Sequence, residues 1–109
     1  MLYFCIGDVM LERIKLNEER LDRLVSVFNS LSNVLESVEK MKEDLYLLND
    51  YYGSKEWFSD KSDLESGKVH NIKAGVLSED AVWDLLVDVK TLCNRMVNVS
   101  NEILCKETK

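Results

Sequence analysis

The sequence of 109 residues contains no proline, four glycines and a single histidine. Proline and glycine interrupt helices most strongly, so their scarcity leaves long stretches in which a helix can continue. The lone histidine, His70, lies in a polar stretch with no catalytic motif around it. The sequence shows no pattern typical of nucleophilic or acid–base catalysis. The sequence therefore predicts a helical protein that is not an enzyme.

Cysteine is scarce as well, with Cys5, Cys93 and Cys105 the only three. An odd number without short paired spacing fits neither a disulfide framework nor a zinc site. The acidic segments also lack the spacing of a calcium-binding EF-hand loop. We predict a cytoplasmic protein with free thiols, no bound metal and no cofactor.

Apolar runs long enough to cross a membrane are absent too. The apolar start, residues 1–6, meets Gly7 and Asp8 and is too short for a signal sequence or a membrane span. Residues 1–11 are predicted to form an N-terminal extension, whose apolar start, residues 1–6, is expected to pack on the domain as a lid.

Positive charge is in the minority, with 14 lysines and arginines against 20 acidic residues and a net charge of −6. Nucleic-acid affinity comes largely from lysine and arginine, so direct binding to nucleic acid is not expected. Between Asp44 and Val89 ten acids stand against four bases, which makes this part of the chain electronegative. We predict a protein partner with a basic surface.

Apolar residues recur at steps of three and four from about residue 12 to residue 52, which draws one stripe along one face of a helix. Near residues 31–35 one step is out of phase, and Asn33 with Glu36 could cap a second helix there. Because no proline or glycine enforces a stop, we predict a single long helix over residues 12–52. Its stripe consists of Ile14, Leu21, Leu24, Phe28, Leu31, Val34, Val38, Met41, Leu45, Leu48 and Tyr52.

A second helix is predicted over residues 78–107. Ser78 precedes two acids and is suited to cap the helix, whose positive dipole end favours those acids. Leu77 before the cap and Val82 four positions after it are placed to form a hydrophobic staple. The stripe of this helix consists of Val82, Leu85, Val89, Leu92, Met96, Val99 and Ile103.

Two helices with one apolar stripe each must bury those stripes against something. The simplest all-α answer is a long antiparallel, coiled-coil-like hairpin, joined by an ordered elbow (residues 53–77) within a single domain of residues 1–109. A pair of helices leaves part of each stripe exposed, so a three-helix bundle and a dimeric bundle are the alternatives. We expect a homodimer.

The runs YYGSKEWFSD (residues 51–60) and GVLSEDA (residues 75–81), followed by Leu85 and Leu86, resemble a family of short bacterial proteins catalogued as domain of unknown function 4298. The resemblance covers most of the chain and implies an all-helical cytosolic domain of bacterial or bacteriophage origin. The chain departs from the family pattern in its apolar start and in Asn71-Ile72, where a proline would be expected. The family has no known activity to transfer.

Aromatic and acidic side chains cluster at the two helix ends that flank the elbow. Gly53, Gly75 and Ser78 have structural explanations as a helix end, a turn and a cap. Trp83 falls off the main stripe, and it is either an exposed interface residue or packs under the elbow against Trp57 or Tyr52. The candidate partner surface consists of Tyr51, Tyr52, Trp57, Asp60, Asp80, Trp83, Asp84 and Asp88.

Two functions fit these patterns. The first hypothesis is a non-enzymatic protein–protein interaction module that presents this aromatic and acidic surface to a partner. The alternative is a phage-type inhibitor of a bacterial nucleic-acid-binding defence enzyme, similar to an anti-CRISPR protein, whose acidic end occupies the basic channel of its target.

Overall fold

The computed structural model describes the backbone of residues 2–106 and the side chains of residues 7–106. Within these residues the chain forms α1 (Leu2–Tyr51), α2 (Lys55–Glu65), a short 3-10 turn (Gly75–Leu77) and α3 (Glu79–Cys105), with no strand. The predicted all-α class is confirmed.

The first helix begins ten residues before the predicted start at residue 12, since α1 runs from Leu2 to Tyr51. The segment expected to be a separate extension is thus helical where it is described, because Gly7 alone is too weak a breaker to stop a helix that continues on both sides. The expected packing of residues 1–6 as a lid lies outside the described side chains. Across residues 31–36 the helix is continuous.

Gly53 ends the first helix, as its residue type predicted. Gly53 adopts a left-handed φ of 78°, and the Ser54 amide donates to the Tyr51 carbonyl at 3.0 Å. Ser54 then caps α2, its hydroxyl accepting from the Trp57 amide at 3.2 Å. The predicted elbow therefore contains a helix of 11 residues, α2, where no helix was predicted.

The remainder of the elbow turns the chain towards α3. Gly67 and Asn71 both take left-handed φ angles, of 81° and 63°, which glycine and asparagine tolerate best. The Ser78 hydroxyl accepts from the Ala81 amide at 3.0 Å, so Ser78 caps α3 as predicted. Leu77 and Val82 are both buried, at 7% and 4% exposure, as a hydrophobic staple requires.

A single domain was predicted, but the chain divides into two compact units, Met1–Glu43 and Asp44–Lys109. Every large apolar side chain that is described in the first unit is exposed. In the second unit the buried side chains among the described residues are Trp57, Leu77 and Val82. The antiparallel pairing of the two stripes stays a prediction.

Candidate functional site

Trp57 forms the centre of the small core. Its side chain is 3% exposed, and its ring makes edge contacts with the rings of Tyr52, at 5.3 Å between centroids, and Phe58, at 4.9 Å. Its indole Nε1 donates to the Val76 carbonyl at 2.9 Å. Trp57 was predicted to belong to the partner surface, but the structure places it in the core, where it holds the elbow together.

Tyr52 and Lys61 connect this core to the start of α3. The Tyr52 hydroxyl donates to the Glu79 carbonyl at 2.8 Å, and the Lys61 ammonium pairs with the Glu79 carboxylate at 3.0 Å. The same ammonium lies 5.1 Å from the centre of the Trp57 ring, within the range of a cation–π interaction. These contacts fix the first turn of α3 against the elbow.

A cleft of about 260 Å³ lies beside the core. Across it the Tyr51 hydroxyl donates to the Asp60 carboxylate at 2.6 Å. Asp63 also reaches the cleft, and its carboxylate pairs with Lys68 at 3.5 Å. The rest of the lining is mainly apolar: Leu64, Val69, Ile72, Lys73, Ala74, Val76 and Leu77.

The pKa of Tyr51 is raised above its usual value of 10.0, first because its hydroxyl donates to Asp60, then through desolvation and the nearby negative charge of Asp60. The hydroxyl can donate only while protonated, so the bond is present below pH 10 and is lost as the pH rises through the raised pKa.

Asp60→Asn should therefore return the pKa of Tyr51 towards 10, measured by NMR titration of ring-labelled tyrosine. Asp63→Asn, which removes a carboxylate that pairs with Lys68, is the control and should leave Tyr51 unchanged. An unaltered Tyr51 titration in Asp60→Asn would contradict the assignment.

Four of the predicted surface residues lie on one face of α3, which we call the acidic face: Asp80, Trp83, Asp84 and Asp88, together with Val87. Their spacing of three and four places them on adjacent turns. All are exposed, Trp83 by 58% and Val87 by 44%. Of the two alternatives for Trp83, the structure thus shows the exposed one, and Tyr52 and Phe58 occupy the positions beside Trp57.

The eight predicted residues fall into three groups. Tyr52 and Trp57 belong to the core, Tyr51 and Asp60 border the cleft, and the other four form the acidic face. None of those four is among the residues that line the cleft as described. Sequence reasoning did not identify the role of Lys61, which contacts both Trp57 and Glu79. The spacing of four residues between Trp57 and Lys61 places both on one face of α2, so recognition of that helix would have indicated their contact.

The hydroxyls of Ser54 and Ser78 accept hydrogen bonds from the amides of Trp57 and Ala81, so both serine side chains act as helix caps. Among the described residues there is no group of three His, Cys, Asp or Glu side chains that could hold a metal ion. No helix in the described part of the chain is both long and apolar enough to cross a membrane.

Comparison with known proteins identifies a family. The model of the family described as domain of unknown function DUF4298 matches residues 14–99, which include most of α1, the elbow, and α3 as far as Val99. No curated protein and no solved structure matches the chain. Since the match covers well over half of the sequence, the chain belongs to the DUF4298 family.

Proposed function

We propose that this protein is a non-enzymatic interaction module whose acidic face on α3 binds a basic surface of a protein partner. The observation that carries the proposal is the 58% exposure of Trp83 between Asp80, Asp84 and Asp88. Tryptophan is among the residues most enriched in interface hot spots, and an exposed one has an unfavourable apolar surface that a partner would cover.

Charge supports a basic partner. From Glu79 to Asp88 the helix carries four acids, and its first base is Lys90. Lys61 already pairs with Glu79, which leaves the carboxylates of Asp80, Asp84 and Asp88 available in water. Carboxylates around an apolar centre would steer a cationic surface into place and fix its orientation, while Trp83 and Val87 would supply most of the affinity.

Contacts with the elbow would hold the acidic face in an ordered conformation. The Ser78 cap, the Tyr52 hydrogen bond to Glu79 and the buried Leu77–Val82 staple all hold the first turns of α3. A surface that is already ordered loses little conformational entropy on binding, which favours affinity.

The second candidate is inhibition of a nucleic-acid-binding enzyme of the anti-CRISPR type, and the same row of carboxylates favours it. Residues four apart on a helix are about 6 Å apart along its axis, so Asp80, Asp84 and Asp88 present a regular line of negative charge. Such a line would compete with a phosphate backbone for a basic channel.

The test is capture of partners by purified protein from bacterial lysate, in parallel with the variant Trp83→Ala/Asp84→Lys/Asp88→Lys. The matched control is Tyr46→Ala/Glu65→Lys/Glu102→Lys, which loses one exposed aromatic ring away from Trp57 and changes the net charge equally, with every site exposed. Circular dichroism checks that both variants fold. We expect the native protein and the control to retain a partner that the α3 variant loses.

The two candidates separate in a second step. Displacement of the captured partner by excess duplex DNA or RNA would favour the inhibitor, whereas a partner indifferent to nucleic acid would favour the module. In either case binding should weaken with added salt, because the charges are exposed. Equal recovery by the native protein and the α3 variant would contradict both functions for this face.

A further inference from the structure

A second, separate surface runs along α1 between Asn17 and Lys42, within the first compact unit. Six apolar side chains repeat there at steps of three and four, with Asn17 and Lys42 continuing the same spacing at the two ends. We call these eight positions the α1 seam. Its apolar members are Leu21, Leu24, Phe28, Leu31, Leu35 and Val38, and the strict repeat is that of a coiled coil.

The α1 seam faces solvent. Its apolar side chains are between 45% and 55% exposed, and none of them is buried or half-buried. Val25, Val27 and Val34 widen the apolar face and are at least 50% exposed as well. There is also no charged residue from Leu24 to Leu35. A continuous apolar surface of this length that is exposed to water indicates an interface.

The spacing of the seam positions is the same in both directions, with steps of four, three, four, three, four, three and four residues. If a second copy of α1 lies antiparallel, with the symmetry axis between Asn29 and Ser30, Leu21 faces Val38, Leu24 faces Leu35, and Phe28 faces Leu31. At the two ends Asn17 faces Lys42. Every apolar position then meets an apolar one, and the two polar positions meet each other. We propose that α1 dimerises with a second copy of this chain through the α1 seam in this antiparallel register.

The polar ends favour this arrangement over a parallel one. A parallel pair would place Lys42 beside Lys42 of the second copy, and two ammonium groups in one layer repel each other. In the antiparallel pair each ammonium meets an asparagine side chain. The Asn17 amide oxygen already accepts from Arg20 at 3.2 Å and has a second lone pair to accept from Lys42 of the second copy.

The size of the surface is sufficient. If the six seam residues and three flanking valines give up most of their exposed area, two helices would bury on the order of 1,500 Å², the size of a standard specific interface. The pairing uses α1 alone and does not involve the acidic face of α3. It takes the place of the predicted pairing between the α1 and α3 stripes, because both would use the same apolar positions of α1.

The experiment is sedimentation equilibrium of the full chain over a concentration series, with four variants. Native protein should be a dimer. Phe28→Asp, which puts charge into both central layers, should weaken it by at least about 30-fold. Asn33→Asp, on the opposite face of the same helix, should leave it unchanged. Circular dichroism confirms that each variant remains helical.

Asn17→Glu tests the register. In the antiparallel dimer each new carboxylate meets Lys42 of the second copy, so the dimer should tighten by about 3- to 10-fold at low salt and lose that gain at high salt. In a parallel dimer two carboxylates would face each other and weaken it. Asn17→Gln, the uncharged control, should change little. A monomeric native protein, a dimer indifferent to Phe28→Asp, or a dimer weakened by Asn17→Glu would overturn the proposal.

Discussion

Replacement of Trp57 by alanine is expected to lower the free energy of unfolding of the Asp44–Lys109 unit by about 3–5 kcal/mol. Trp57 is one of the three buried side chains described in that unit, and two aromatic rings and the Lys61 ammonium pack against it. A unit of this size is typically stable by only about 5 kcal/mol. The variant should therefore lose its cooperative unfolding transition in urea.

Trp83→Ala is the matched control, since it removes the same side chain from a site that is 58% exposed. Its cost should stay below about 1 kcal/mol, as for most surface substitutions. Hydrogen–deuterium exchange of the amides between residues 51 and 82 measures the loss of stability of the elbow in each of the two variants. Equal losses in the two variants would contradict the placement of Trp57 at the centre of the core.

Trp57→Phe is a milder substitution whose free energy of unfolding can be measured if the alanine variant does not fold. The phenyl ring preserves part of the apolar contact but removes the Nε1 donor, leaving the Val76 carbonyl without that bond. We expect an intermediate loss of about 1–3 kcal/mol. A phenylalanine variant as unstable as the alanine variant would mean that the hydrogen bond outweighs packing at this position.

The features that sequence reasoning located correctly are local ones. The Ser78 cap and the helix end at Gly53 depend on chemistry within about four residues, so their residue types are sufficient to predict them. The absence of proline likewise predicted a long uninterrupted α1. Family membership was also visible, because the YYGS and GVLSED runs are contiguous in the sequence.

The features that sequence reasoning missed depend on distant partners. Which tryptophan is buried cannot be read from periodicity, because Trp57 lies on the short, polar α2 and is buried by Tyr52 and Val76, which come from other elements. For Trp83 the sequence left exposure and burial open, because its position off the main stripe of α3 fits either, and the structure shows it exposed. The helix α2 was overlooked because its polar composition outweighed the Ser54 cap, which was the one local signal for it.

Leu77→Ala is expected to cost about 2–5 kcal/mol in the free energy of unfolding of the same unit. Leu77 is 7% exposed and stands between Val76, whose carbonyl accepts from Trp57, and Ser78, which caps α3. Shortening it opens a cavity at the point where the elbow joins the helix. Ile72→Ala is the control, because Ile72 is an apolar residue of the same loop that is 59% exposed, and it should cost less than about 1 kcal/mol.

A double-mutant cycle shows whether Leu77 acts through the staple or only by filling space. Leu77 and Val82 flank the Ser78 cap, and the capping motif requires their side chains to touch. If they do, Leu77→Ala and Val82→Ala should be non-additive by about 0.5–3 kcal/mol in urea unfolding, since the second substitution finds the contact already lost. Additive losses would mean that each side chain packs independently. The entry angle of α3, and with it the direction of the acidic face, would then depend on the Ser78 cap and the Tyr52–Glu79 hydrogen bond instead.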